Sequence, residues 1–472
     1  MTTIERFAAR RPIPFVIAAT VIWVLVAGII ALASCAGGAP PTPTAVPTPT
    51  PAPTPTAVPT PTQAIADRLS AAQRTEIFEA VWQTVNDNYF DPTFGGQDWQ
   101  AIGDAYRQKL STAQDGRAFW LEVLNPMLFE LGVSHMAALP LELSNQMDPI
   151  TFSSGSLGMD VRLLDGQPVI TSVIEGSPAA RAGLRPGFVL AAVDGWTLDD
   201  IAADVMQTPP DNERNRLGVV EQGLRTRLYG DVGDEVVVEY LDAGNRPQRV
   251  TLTLARRLSS TCAQFDPNLP PACTEFEMRR LTGGVGYLRF SGFLPTALDS
   301  VLQAIEELHD APALLIDLRG NPGGVFPVRK AIASQLVGER TLFMRYQLRD
   351  EVEEAYLDFV ADPYRGLVVI LVDELSASSS EEFAGSLQAL GRVTIVGSQT
   401  PGRCLVSNVV QFPSGAILSY PYGQSQTPDG RVLENNGVVP DVEVALDRVS
   451  LLQGIDMQLE AAIEYVANQI GQ

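Results

Sequence analysis

The stretch Leu367-Val368-Val369-Ile370-Leu371-Val372-Asp373-Glu374-Leu375-Ser376-Ala377-Ser378-Ser379-Ser380-Glu381-Glu382-Phe383-Ala384 reads as a buried strand that passes through a polar turn into a helix. A serine at the helix start is ordinarily a cap, with Glu381 or Glu382 adding a favourable charge in the first turn. Four serines exceed what one cap requires. A serine on such a turn can instead aim its hydroxyl at a bound molecule, with helix N-terminal N–H groups at hand to stabilise an oxyanion.

On either side of this junction, strands and helices alternate: Val285-Phe290, helix Ala297-Leu308, Ala313-Leu318, helix Val325-Val337, Leu367-Val372, helix Ser380-Leu390 and Val393-Val396. That order predicts an α/β layered domain, whose strand ends are where functional groups gather. A second junction, Asp317-Leu318-Arg319-Gly320-Asn321-Pro322-Gly323-Gly324, follows one of these strands. Its Gly pair permits either a tight turn or an N–H aimed at developing charge.

Further towards the N-terminus, short β-branched runs (Val169-Val173, Val189-Val193, Val236-Tyr240, Val250-Leu254) predict a small β-rich module. The strings from Gly155 to Met159 and from Gly176 to Gly187 resemble a PDZ domain, in which Leu157, Gly158 and Met159 would present the loop that captures a peptide carboxylate. Before it, Ile77, Ala80, Val81 and Val85 mark a helical unit that ends near Gly132-Val133-Ser134-His135.

The first residues address the chain. Arg6, Arg10 and Arg11 precede an apolar run from Phe15 to Ser34 that is long enough to span a bilayer. It ends in Leu32-Ala33-Ser34-Cys35 and small residues, which resembles a lipobox, so lipid on Cys35 and a retained helix both stand as readings. Ala39 to Thr62 is almost wholly Pro, Thr and Ala, an extended stalk. Expected localisation is the bacterial cell envelope, outside the cytoplasm and membrane-anchored. Cys262 and Cys273 bracket a loop that a disulfide can close, in keeping with that compartment, and Cys404 reads as a buried thiol.

Composition narrows the chemistry. The 472 residues carry 33 Lys+Arg against 55 Asp+Glu, a formal charge of −22, the wrong sign for a nucleic-acid partner. Only Lys109, Lys330, His135 and His309 are available as a lysine or histidine base. Isolated histidines and scattered cysteines lack metal-site spacing, and Gly323 is not followed by a P-loop Lys, so no metal or cofactor is expected.

Together with Glu434-Asn435-Asn436-Gly437-Val438-Val439-Pro440-Asp441, the two junctions resemble the carboxyl-terminal processing, or tail-specific, serine peptidases. The resemblance implies a crotonase/Clp-protease-like α/β catalytic domain with Ser378 as nucleophile and an oxyanion hole from the N–H of Ser379 and of Gly323 or Gly324. It departs at one place. Where the best-known members carry a basic Lys, this chain has Arg403 in Thr400-Pro401-Gly402-Arg403-Cys404, and a guanidinium stays protonated. The tricorn-like branch instead takes a His beside a Ser from the preceding helical region and a Glu near the end of the domain. Ser134-His135 and Glu434 match that plan, with His135 as general base and Ser134 and Glu434 orienting it. His309, ending a helix, reads as structural.

The expected organisation is α/β multidomain: 1–38 signal or anchor, 39–64 stalk, 65–148 helical N-terminal domain, 149–258 PDZ-like β-rich domain and 259–472 peptidase domain. The expected function is hydrolysis of protein or peptide substrates, chosen through exposed C-terminal tails. The alternative is an inactive peptide- or lipophile-binding scaffold on the same fold, with an esterase as a weaker third. Oligomeric state is not legible.

Overall fold

The computed structural model describes residues 69–140, 149–205, 213–264 and 271–471. The apolar run, Cys35 and the stalk lie outside them, and among the described residues no helix is long and apolar enough to cross a membrane.

The N-terminal region opens with helix α1 (Ala71–Asn88), which starts because the Ser70 hydroxyl accepts the Gln73 N–H while the Gln73 side chain accepts the Ser70 N–H. Its face of Ile77, Phe78, Val81, Trp82 and Val85 is buried. With α2 (Trp99–Lys109) it forms a core that also takes in Ala416, Leu418 and Tyr420 from far along the chain. The chain then turns through Ser134-His135 into β1 (Ala137–Pro140), which pairs antiparallel with residues 416–419. The sequence places these four residues in a separate helical unit. Instead they add a strand to a sheet of the C-terminal domain, because all four are buried and need a partner strand for their backbone groups.

The PDZ sheet runs β2 (Met159–Leu164), β3 (Gln167–Val173), β4 (Val189–Val193), β5 (Glu235–Leu241) and β6 (Pro247–Thr253), paired in that order, so β2 lies at the edge. Val161, Ile170, Leu190, Val193, Val236 and Val238 bury against Val219, Val220 and Leu224 of helix α3 (Glu213–Thr226).

The C-terminal domain holds two sheets. The larger contains β7 (Ser260–Ala263), β8 (Ala272–Arg280), β9 (Gly286–Phe290), β10 (Ala313–Asp317), then β13 (Leu367–Val372), β14 (Thr394–Gly397) and β17 (Val442–Glu443), the last five in parallel. Period-two alternation divides its residues cleanly. Leu288, Leu314, Ile316, Val368, Ile370 and Ile395 face α4 (Pro295–Glu307), α5 (Phe326–Val337) and α6 (Ser379–Ala389). Tyr287, Leu315, Val369, Leu371 and Val396 face α8 (Met457–Ile470). Both faces are covered, which explains the unbroken apolar run of β13.

The second sheet contains β11 (Leu342–Leu348), β12 (Val352–Tyr356), β15 (Leu405–Phe412) and β16 (Ala416–Gln426), with β1 joined to β16. Cys262 and Cys273, paired across β7 and β8, form a disulfide. Helix α7 (Arg448–Leu452) clips the PDZ module on: Arg448 donates to the Gly187 carbonyl at 2.7 Å and Leu451 packs on Val169 and Val189.

Candidate active site

Because β10 and β13 are parallel neighbours with Asp317 opposite Leu371, their two junctions leave the same edge of the sheet side by side. Three serines staple one to the other. Ser376 Oγ donates to the Leu318 carbonyl at 2.8 Å, Ser380 Oγ to that of Asn321 at 2.9 Å and Ser379 Oγ to that of Gly324 at 2.7 Å. This accounts for the surplus of serines and leaves Ser378, buried, at φ 54° and ψ −116°. Such a backbone conformation is costly for a residue with a side chain, and strain of this kind concentrates at functional positions.

The Gly pair lies against it. A Cβ on Gly323 would meet Ser378 Cβ at 2.9 Å and Ser379 N at 2.7 Å, so only glycine permits this approach. The Gly323 N–H is committed to Asn321 Oδ1 at 2.9 Å, and Asn321 is itself held by the Phe290 carbonyl. The Gly323 carbonyl accepts the Phe293 N–H at 2.6 Å. Of the two glycine N–H groups that the sequence offers for an oxyanion, Gly323 is therefore already spent, which leaves Gly324, whose carbonyl lies 2.7 Å from Ser379 Oγ, as the candidate.

Ser134, His135 and Glu434 come together from opposite ends of the described chain. Glu434 Oε1 accepts the Ser134 N–H at 2.9 Å, and Oε2 accepts both the Ser134 hydroxyl at 2.9 Å and the Cys404 N–H at 2.7 Å. Ser134 Oγ lies 2.7 Å from His135 Nδ1. A hydroxyl has one proton to give. If it goes to an ionised Glu434, Ser134 Oγ accepts from Nδ1–H, and Nε2 is left as the basic nitrogen. Both residues are buried, and His135 and Asn435 adopt left-handed φ of 60° and 63°. Burial pushes the Glu434 carboxyl up to about 7, against the pull of its Ser134 and Cys404 donors.

This group joins Ser378 through two consecutive residues. Arg403 accepts the Ser378 N–H on its carbonyl at 2.9 Å, and Cys404 donates to Glu434. Glu381, which the sequence offers only as a helix-start charge, anchors the same segment by accepting Thr400 Oγ1 and the N–H groups of Gly402, Arg403 and Ser378. Burial pulls the Arg403 guanidinium down to about 10, still protonated at neutral pH. Lys109 sits over the Tyr106 ring and Lys330 pairs with Asp358, both away from Ser378. Cys404 is buried and its thiol is held protonated. His309 is part-exposed, 3.6 Å from Asp362.

Asp373 is a second residue whose part the sequence did not declare. One carboxylate oxygen accepts from Gly320 N–H and Leu375 N–H and lies 3.1 Å from Ser376 Oγ, and the other accepts Arg162 Nε of the PDZ module at 2.8 Å. Arg162 belongs to a buried set with Asp160, Glu221 and Arg225 along the β2 edge. A cavity of about 500 Å³ lies between the PDZ and C-terminal domains, lined by Gly158, Met159, Arg162, Arg225, Gly320 and Asp373 among others. Gly158 and Met159 therefore face the same space as the start of the Gly-pair loop. Leu157 is fully buried, its carbonyl taking the Ala179 N–H. Among the described residues no group of three or more His, Cys, Asp or Glu side chains is arranged to hold a metal ion.

Residues 284–444 match the profile described as Peptidase family S41, residues 70–128 that of the tricorn protease C1 domain and residues 169–219 that of a PDZ domain. The chain is 27% identical over 411 residues to the carboxyl-terminal-processing protease of a Synechocystis species, covering 85% of this chain and 89% of that one. It is 26% identical over 419 residues to the chloroplastic carboxyl-terminal-processing peptidase 3 of Arabidopsis thaliana, covering 82% and 72%. Two solved structures share the fold. The photosystem II D1 C-terminal processing protease aligns with a TM-score of 0.53 at 23% identity over 80% of this chain and 94% of that one. Mature CPAF in complex with lactacystin aligns with a TM-score of 0.55 at 15% identity over 84% and 97%. With the stapled strand ends, the PDZ module and these likenesses in hand, the chain belongs to peptidase family S41 and is a serine peptidase of the carboxyl-terminal-processing kind.

Proposed function

We infer that Ser378 is the nucleophile, His135 the general base, and Ser134 and Glu434 the pair that orients it. The carrying observation is the hydrogen-bonded chain Glu434–Ser134–His135, joined to the Ser378 backbone through Arg403 and Cys404. Ser378 Oγ attacks the scissile carbonyl carbon while its proton passes to His135 Nε2. The resulting oxyanion is received by the N–H groups of Ser379 and Gly324. Collapse expels the amine, which takes the proton from His135, and water then attacks the acyl-enzyme with His135 again as base. A carboxylate product leaves.

Substrates on this reading are polypeptides presented by their C-terminal tails at Gly158 and Met159, Leu157 being withdrawn because its N–H is spent on the Leu228 carbonyl, with the body of the peptide running through the cavity towards Gly320. The anchor is the N-terminal segment, by lipid on Cys35 or by its apolar run, with the Pro/Thr stalk holding the peptidase off the envelope membrane.

The test is hydrolysis of unfolded casein by the full-length protein beside Ser378→Ala, together with labelling by a fluorophosphonate probe. Cleavage and labelling by the parent alone are expected. Cleavage that survives Ser378→Ala would reject Ser378 as nucleophile. Radiolabelled palmitate incorporated by the parent but not by Cys35→Ala would support the lipid anchor, and equal labelling would refute it.

A further inference from the structure

The Gly323-Gly324 segment has φ of 107° and 145°, a region open only to glycine, where no side chain limits rotation. A peptide flip there would aim a carbonyl, rather than an N–H, at the reacting oxygen. Hydrogen bonds must set its orientation instead. Phe293 N–H holds the Gly323 carbonyl and Ser379 Oγ holds that of Gly324.

Ser379 Oγ has a second neighbour, Arg329 Nη1, at 2.6 Å. A guanidinium has no acceptor, so the direction is forced. Arg329 donates to Ser379 Oγ, and the single hydroxyl proton must go to Gly324. Arg329 is fixed in turn: its other terminal nitrogen donates to Tyr346 Oη at 2.6 Å, it pairs with Glu382, and its guanidinium carbon lies 5.0 Å from the Phe326 ring centre. Glu382 is held by Ser425, whose hydroxyl also lies 2.6 Å from the Cys404 carbonyl. Arg329, Ser379 and Glu382 are all buried.

We propose that Arg329 is a positioning residue for the oxyanion hole, acting through the Ser379 hydroxyl to fix the Gly324–Val325 peptide on one side of the Gly324 Cα while Phe293 N–H fixes the Gly323–Gly324 peptide on the other, so that the Gly324 N–H keeps its direction. The inference rests on the reading of Ser378 and the oxyanion hole given above. Arg329 does not touch the reacting atoms. Its part is to choose the direction of the Ser379 hydroxyl and hence the orientation of the opposite wall.

The experiment uses the full-length protein and Ser379→Ala, which keeps the Ser379 N–H and removes only the hydroxyl. A fall in kcat of roughly ten- to a hundredfold is expected with KM changed by less than about twofold, since the hole acts on the transition state. Affinity for a peptide boronate, whose boron-bound oxygen enters the hole, should fall by the same factor, while affinity for the corresponding product peptide stays unchanged. Arg329→Met alone would strand the Glu382 carboxylate, so it is combined with Glu382→Gln, which should reproduce the Ser379→Ala loss. Arg329→Lys should recover part of it. If Ser379→Ala and the double variant both keep kcat and boronate affinity within about twofold of an active parent, the inference is overturned and the Ser378 reading stands. A loss carried entirely in KM would also overturn it. A parent that neither cleaves casein nor takes the fluorophosphonate at Ser378 overturns both.

Discussion

The two walls of the proposed active site are assembled in different ways. The wall of the proposed nucleophile, the nucleophile wall, comes from the ends of two adjacent parallel strands, so Ser378 and the Gly pair are delivered together by the sheet and stapled by three local serines. The base wall joins Ser134 and His135 to Glu434 across 300 residues, and depends on β1 leaving the helical region to pair with β16. One wall is a property of an α/β edge, while the other is a property of the whole fold. Damage far from the chemistry should therefore reach the base wall more readily than the nucleophile wall.

The strongest attempt to break this contrast removes one member from each wall. His135→Ala should lower kcat as severely as Ser378→Ala, by about 10⁴ or more, and the double variant should be no worse than either, because the two act as a unit. Steady-state kinetics on a fluorogenic peptide decide it, and a His135→Ala protein near the parent rate would remove the base wall from the mechanism. Glu434→Gln comes next. An amide cannot replace both acceptor oxygens, so either Ser134 or Cys404 loses a partner, and a donor facing Ser134 Oγ would turn the Ser134 proton towards His135 Nδ1 and favour the wrong tautomer. We expect a loss of roughly a hundredfold in kcat, smaller than for His135→Ala.

The same carboxyl gives the pH prediction. The group is held near 7 in the folded protein against an ordinary 4.5, so the native state retains a proton that the unfolded chain releases. Stability conferred by that proton is complete below about pH 4.5 and is lost as pH rises to about 7. Urea unfolding of parent and Glu434→Gln should therefore show the variant gaining on the parent as pH rises through that interval. Activity should run the other way, falling as pH drops through about 6 to 7, because a histidine base must be neutral to take the Ser378 proton. A kcat/KM profile flat down to about pH 5 would count against the histidine.

The smallest effect sharpens the point about distance. Asn125, buried in the helical region, donates to the Ala138 carbonyl and accepts the Ala138 N–H, both at 2.8 Å, as a surrogate strand on the free side of β1. Asn125→Ala should cost about 1–3 kcal/mol in chemical denaturation, because two buried backbone groups lose their partner. It should also lower kcat several-fold by loosening the turn that carries His135. Loss of stability with kcat untouched would show that β1 is fixed by β16 alone.

Several features were readable without coordinates because they are local. The alternation of strands and helices signals an α/β layered domain, and the two junctions with their Gly pair and serines signal where such a sheet puts its chemistry. The scarcity of lysine and histidine, with Arg403 in the lysine's place, directed attention to His135. The strands of the second sheet were missed, since Leu405–Phe412 buries only alternate residues and Ala416–Gln426, though mostly buried, is interrupted by Pro421 and Gly423 and ends in polar residues. Asp373 and Glu381 looked like ordinary turn and helix-start acids, because what distinguishes them is which distant N–H groups they accept.

Sequence alone determined the class of fold, the strand-to-helix turn around Ser378 and the short list of candidate bases, since each follows from residue type and spacing within a few positions. Only the tertiary structure decided that Glu434 meets Ser134, that Gly323 spends its N–H on Asn321, and that Arg329 donates to the Ser379 hydroxyl. The physical reason is that a hydrogen bond's partner and direction depend on donors and acceptors brought together from across the chain, and no local pattern records which of them will meet.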